Sequence, residues 1–133
     1  MPMSTKIVLD TNFLLIPGQF GVDIFSEIRR ITDFRYQLVI VEKSLEELKK
    51  LLKQGKRADK TAANLAISLL KTQNIKILRL HSQKKASADD DIAALAGNDV
   101  MVATQDRILQ MRVRKKGAKI ISLRQKSHLI IDK

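Results

Sequence analysis

The sequence contains no cysteine and no tryptophan, and only four phenylalanines and one tyrosine. Without cysteine, disulfide scaffolds, thiolate zinc sites and cysteine nucleophiles are excluded, and a reducing compartment is compatible. The sparse aromatics exclude a dense base-stacking surface of the RRM kind, so any nucleic acid would be held mainly by its phosphates. No apolar run approaches the ~20 residues a membrane helix needs, and the start, MPMSTKIVLD, lacks the long apolar stretch of a signal peptide. A cytoplasmic protein with no membrane partner is the expectation by default. The two histidines, His81 and His128, lie outside the acidic segments at no motif spacing and are expected to face solvent.

What the chain does have is positive charge. Its 25 Lys and Arg against 14 Asp and Glu give +11 over 133 residues, a balance that attracts polyanions. The 44% hydrophobic and 29% charged fractions are those of a globular chain, and the length suits a single domain over residues 1–133.

Five short apolar runs predict strands: Lys6 to Asp10, Gln37 to Val41, Ile75 to Leu80, Val100 to Thr104 and Lys119 to Leu123. KIVLD, QLVIV, VMVAT and KIISL are apolar nearly throughout, as strands covered on both faces are, which points to a parallel sheet. Ile24, Ile28 and Ile31, and then Leu45, Leu48 and Leu52, recur at helical spacing. Further helices are predicted from Ala58 to Thr72 with Ala62, Leu65, Ala66, Leu69 and Leu70 inward, from Ala88 to Ala96, and from Arg107 to Lys116 with Gly117 after its end. Gln54-Gly55-Lys56 reads as a loop. The alternation implies a three-layer α/β fold.

In such sheets the working crevice lies beyond the carboxyl ends of the strands. Asp10 ends the first predicted strand, and Asp106 follows the fourth. Glu47 and Asp89 fall in the first turns of neighbouring helices. Each also has a plain structural use: an Asx turn for Asp10, a helix cap for Asp106, and a Ser44–Glu47 capping box. Ser87 and Asp90 stand in the same capping relation. Helical phase puts Asp89 in register with Ile92 and Ala96, Asp90 pointing away and Asp91 on the flank. Converging carboxylates need a cation or a retained proton, and all-oxygen donors suit Mg²⁺ or Mn²⁺.

Leu9-Asp10-Thr11-Asn12, Leu45-Glu46-Glu47-Leu48, Ala88-Asp89-Asp90-Asp91-Ile92 and Ala103-Thr104-Gln105-Asp106, in this order, resemble the PIN-domain nucleases. Asn12 to Pro17 and the basic helix after Asp106 are most similar in wording to archaeal relatives of the small-subunit ribosomal RNA processing enzymes. The toxin nucleases of toxin-antitoxin pairs share the four acids. The resemblance implies a five-stranded parallel sheet of order 3-2-1-4-5 flanked by helices. It implies a Mg²⁺- or Mn²⁺-dependent endoribonuclease with Asp10, Glu47, Asp89 and Asp106 as metal-site carboxylates, Thr104 and Asn12 as polar partners behind them, and a homodimer. The Asp triplet leaves the third acid open between Asp89 and Asp90. Arg107, Arg112, Arg114, Lys115, Lys116 and Lys119 are the candidate RNA-binding residues, holding phosphates of single-stranded RNA or a structured precursor.

Two other classes compete. An inactive PIN scaffold that only binds RNA or protein is disfavoured by the full set of acids. A phosphoacceptor receiver domain is disfavoured because neither the second nor the third strand ends in an Asp. Processing enzyme and toxin stay open.

Overall fold

A computed structural model of the protein describes residues 4–80 and 85–132, which leaves His81 outside the described residues. In chain order the elements are β1 (Thr5–Leu9), α1 (Thr11–Leu14), α2 (Ile16–Phe20), α3 (Ile24–Ile31), β2 (Tyr36–Val41), α4 (Glu42–Gln54), α5 (Arg57–Thr72), β3 (Lys76–Leu78), α6 (Ala88–Leu95), β4 (Val100–Ala103), α7 (Arg107–Arg114), β5 (Ile120–Arg124) and β6 (His128–Asp132).

The strands form one sheet of order β3-β2-β1-β4-β5-β6. The first five are parallel, with Ile7 opposite Leu38 on one side and Met101 on the other. The period of two in the strands explains why both faces are apolar. Ile7, Leu9, Ile40, Met101, Ala103 and Ile121 meet α1 to α5, while Val8, Val39, Val41, Val102 and Ile120 meet α6 and α7. Each central strand therefore serves two cores.

The sequence-based expectation of five strands is corrected by β6, which pairs antiparallel with β5 and brings His128 opposite Arg124. Its hairpin turns at Gln125 and Lys126, whose φ angles of 53° and 54° lie in the left-handed region. Such turns normally carry Asn or Gly, so the sequence held no turn signal here. On its outer side, Leu129 N–H donates to Glu27 Oε1 at 2.9 Å, and Leu129 C=O accepts from Arg30 at 3.0 Å. The Arg30 guanidinium also grips Glu27 at 2.8 Å.

Two close packings fix the helices. A Cβ on Gly18 would stand 2.6 Å from Ala62 Cα, so α2 lies directly against α5. Gly117 (φ 86°) turns the chain after α7 in a left-handed conformation that favours glycine, beside the Asn98 side chain. Within α5, Ala62, Ala63, Ala66 and Leu70 face inward, whereas Leu65, expected inside, is 40% exposed. Among the described residues no helix is long and apolar enough to cross a membrane.

Candidate active site

The chain runs outward in opposite directions from the central pair β1 and β4, which opens a crevice at their carboxyl ends. Asp10 is the first residue past β1 and is 3% exposed. Its Oδ1 accepts from Thr11 N–H at 2.8 Å, capping α1, and its Oδ2 accepts from Thr104 Oγ1 at 2.8 Å. Thr104, fully buried just past β4, also accepts from Asp106 N–H at 3.0 Å. One hydroxyl thus ties the two edge acids together. Asp106 caps α7, its Oδ1 accepting from Ile108 and Leu109 N–H. Gln110 donates to the Thr104 carbonyl at 2.8 Å and holds this corner from below.

Glu47 reaches the same edge by a route the sequence did not suggest. The Ser44–Glu47 capping box does not form, because α4 begins at Glu42 directly after β2 and Ser44 lies buried inside the helix. Glu47 Oε1 instead accepts from Thr11 Oγ1 at 3.0 Å. Thr11 is the residue the sequence reading missed. Its only signal was its place between two acid-edge candidates, Asp10 and Asn12.

On α6 the three consecutive aspartates separate, with Asp90 outward as expected but Asp91, not Asp89, the most buried of the three. Asp90 completes a capping box with Ser87 and pairs with Arg112 at 3.0 Å, so its carboxyl lies below the usual range, chiefly through the Ser87 N–H it accepts from. Asp91, expected on the flank, is 5% exposed and faces Lys43 at 3.4 Å. The interior face of α6 includes Ala88, which shares a stripe with Asp91 and Ile92. The Asp106 charge acts on Asp89.

Burial pushes the Asp10 carboxyl up to about 6 against the pull of its Thr104 and Thr11 hydrogen bonds, and the charges of Asp89 and Glu47 push further. Glu47 is raised by its protein surroundings and by Asp89, with the Thr11 hydroxyl opposing. Asp89 is raised by burial and by Asp106, with Arg112 opposing. The four carboxylates therefore share one electrostatic neighbourhood, and both charges that act on Asp10 are negative.

Such a set fits a hard divalent cation. The donors are all oxygen, partly desolvated and mutually repelling. Among the described residues no three His, Cys, Asp or Glu side chains are spaced to hold an ion by themselves. Mg²⁺ characteristically uses one or two carboxylates and fills its remaining positions with waters and substrate phosphates, which matches this looser spacing.

The basic candidates divide. Arg107 stands beside Asp106 in the first turn of α7, Arg112 pairs with Asp90, and Arg114 pairs with Asp132 at 3.2 Å. Lys116 Nζ donates to the Ala93 carbonyl at 2.6 Å. Lys115 and Lys119 are exposed past the far end of α7 and before β5, at the sheet end opposite the acids. Asn12 is exposed at the crevice, and His128 is half-buried with a ring nitrogen 2.9 Å from Ser127 Oγ.

A sheet of this order, with carboxylates gathered at the β1/β4 edge, defines the PIN-like class of α/β domains. The pattern of the family described as "PIN like domain" matches residues 7–126, and the chain belongs to that family. It is 32% identical over 130 residues to "Ribonuclease VapC4" of Methanocaldococcus jannaschii, covering 95% of each chain. Its structure is similar to the PIN domain endonuclease Utp24, with a TM-score of 0.77 and 25% identity over 95% of this chain and 90% of that one. A domain of a functionally unknown protein from Methanocaldococcus jannaschii shares the fold at a TM-score of 0.60 and 19% identity, with 91% and 92% of the two chains covered.

Proposed function

We propose that this protein is a metal-dependent endoribonuclease whose site residues are Asp10, Glu47, Asp89 and Asp106. The observation that carries the reading is the buried Asp10, held by Thr104 and surrounded by the negative charges of Glu47 and Asp89. The likeness to a ribonuclease and to an endonuclease supports the same chemistry. The four carboxylates would hold Mg²⁺ or Mn²⁺, which when bound lowers the pKa of a water and neutralises charge on the scissile phosphate.

The chain's own contribution is positioning. The Thr104 hydroxyl and the Thr11 N–H hold the two Asp10 oxygens in place, and the Thr11 hydroxyl anchors Glu47. Arg107 and Arg112 bring positive charge to the same edge, where they would hold phosphates flanking the cleaved bond. Hydrolysis in this arrangement leaves 5′-phosphate and 3′-hydroxyl ends.

The test is cleavage of single-stranded RNA with Mn²⁺ and with EDTA, by wild type and Asp10→Asn. Metal-dependent cleavage lost in the variant, with the fold intact, is expected; equal cleavage by both would remove Asp10 from the mechanism.

Two biological roles are equally supported. The sequence resemblance carries both, processing of ribosomal RNA and a toxin ribonuclease, and likeness to the endonuclease Utp24 and to Ribonuclease VapC4 fits either. Growth arrest on expression, relieved by a small partner protein encoded next to the gene, selects the toxin. A homodimer belongs to the same reading and is checked by sedimentation.

A further inference from the structure

Beside the acids, a cavity of about 530 Å³ opens between α2 and the β5–β6 hairpin. Its volume lies within the ~300–1,000 Å³ typical of small-molecule sites. It shares the carboxyl edge of the sheet with the candidate active site, since Asn12 and Gln105, neighbours of Thr11 and Asp106, form the wall nearest the acids. Its apolar floor is made by Ile16 and Leu123, which are 1% and 9% exposed. Over that floor stands the Phe20 ring, 43% exposed, with Lys126 Nζ 5.5 Å from its centroid.

The polar groups around the cavity are not equivalent. The Gln105 amide is engaged at both its nitrogen and its oxygen, donating to Leu123 C=O and accepting from Leu123 N–H at 2.6 Å. Gln19 and Gln125 make no side-chain hydrogen bond among the described residues, and both line the cavity. Gln125 and Lys126 reach its mouth from two consecutive left-handed backbone positions, at 53° and 54°. Neither is glycine or asparagine, so the hairpin is held in a conformation its sequence disfavours. Phe20 ends α2, whose backbone packs directly on α5 at Gly18 and Ala62.

We propose that this cavity binds one unpaired nucleobase of the RNA, next to the scissile phosphate and stacked on Phe20. A nucleobase joins an aromatic face to an edge of hydrogen-bond donors and acceptors, and it carries a phosphate. The cavity offers one aromatic ring, two free amides that both donate and accept, and Lys126, whose ammonium lies over the Phe20 ring and would swing on its flexible stem from there to the phosphate of an incoming base, in a chain of net charge +11. Phe20 is the one aromatic residue that lines it, which makes a single stacking position on a surface that otherwise contacts phosphate. It rests on the ribonuclease reading and adds to it a preference at one position of the substrate.

The experiment uses the whole protein and single-stranded RNA oligonucleotides carrying 2-aminopurine at each position in turn. Binding is followed in EDTA by fluorescence, and cleavage of the same RNAs is measured separately in Mn²⁺. Wild type should quench one position strongly, by stacking. Phe20→Leu, which keeps an apolar side chain but no ring, should lose that quench and bind about tenfold more weakly, within the range for loss of one base–aromatic stack. Phe20→Tyr should restore both. Phe34→Leu, an exposed phenylalanine ahead of β2 at the opposite end of the sheet, is the control. RNA that is bound and cleaved normally by Phe20→Leu with the quench unchanged overturns the base site, leaves the nuclease reading standing and frees the cavity for a protein partner. A Phe20-dependent quench without cleavage overturns the nuclease reading and keeps the base site. No RNA binding by wild type overturns both.

Discussion

Thr104 Oγ1 donates to Asp10 Oδ2 at 2.8 Å, joining the end of β4 to the residue that follows β1. The same hydroxyl accepts from Asp106 N–H, so its proton is committed to Asp10. Thr104→Val keeps the shape and removes the donor. The Asp10 carboxyl should then rise further above about 6, and Mn²⁺ affinity should fall about 10- to 100-fold, as when the outer partner of a metal ligand is lost. Thr104→Ser should retain both properties. Calorimetric titration with Mn²⁺ measures this, and unchanged affinity in Thr104→Val would show that Asp10 needs no orientation.

The metal-free protein should become less stable as pH rises through the acid range. Asp10 ionises at its ordinary 3.8 when unfolded and at about 6 when folded, so the native state holds the proton more tightly. Its contribution is largest at or below about pH 4 and is lost as pH climbs to about 6, by some 2–3 kcal/mol at about 1.36 kcal/mol per pKa unit. Glu47 and Asp89 are shifted in the same direction. The readout is the melting temperature of wild type minus that of Asp10→Asn in EDTA, between pH 4 and pH 7. Saturating Mn²⁺ should flatten or invert the trend, since the cation binds the ionised acids.

Asp89 and Asp90 should respond oppositely to loss of charge. Removing the Asp89 charge relieves repulsion with Asp106, so Asp89→Asn should melt above wild type in EDTA, and the order should narrow or reverse in Mn²⁺. A hundredfold excess of metal over its dissociation constant adds about 2.7 kcal/mol to the intact site only. Asp90→Asn should lose its reciprocal capping with Ser87 and be destabilised to the same extent whether or not metal is present. Equal destabilisation of Asp89→Asn in both conditions would make Asp89 an ordinary helix-terminal acid.

The basic residues should differ by position along α7. Arg107→Gln, beside Asp106, should weaken RNA binding and lower the slope of log affinity against log salt by about 0.7, the value for one phosphate contact on a single strand. Lys119→Gln, at the other end of the sheet, should change the slope far less. If the two effects are equal, the RNA runs along the helix instead of across the crevice.

What could be read in advance follows from what is periodic. The strands near the centre are apolar on both faces, and their pattern alone gave β1, β2, β4 and β5 nearly to the residue. Helical phase turned Asp90 outward, as its Ser87 interaction requires, but it put Asp89 on the apolar face and Asp91 on the flank, whereas the buried stripe runs through Ala88, Asp91 and Ile92 and leaves Asp89 half-buried. Glu47 was harder, because Ser44 three residues earlier imitates a helix start. Val41 leads straight into α4 without a loop, so the true start lies two residues before that serine. The hydrogen bond from Thr11 to Glu47 spans 36 residues and leaves no local trace. β6 escaped because its hairpin turns on glutamine and lysine, residues with no preference for the left-handed backbone they adopt.

The last strand raises a matter of solubility. A strand at the rim of a sheet exposes unpaired backbone groups, a template on which another chain can add itself. Here the outward N–H and C=O of Leu129 are both taken, by Glu27 and Arg30 of α3. An incoming strand would have to displace a joined pair of charged side chains to begin pairing there. Arg30 and the Leu129 N–H hold the Glu27 carboxyl at about 2, so this barrier persists through mild acid and gives way only near that pH. At the other rim, β3 is just three residues long and begins with an exposed lysine. The hairpin that the sequence concealed thus carries, at Leu129, a charged guard on the longer of the two edges.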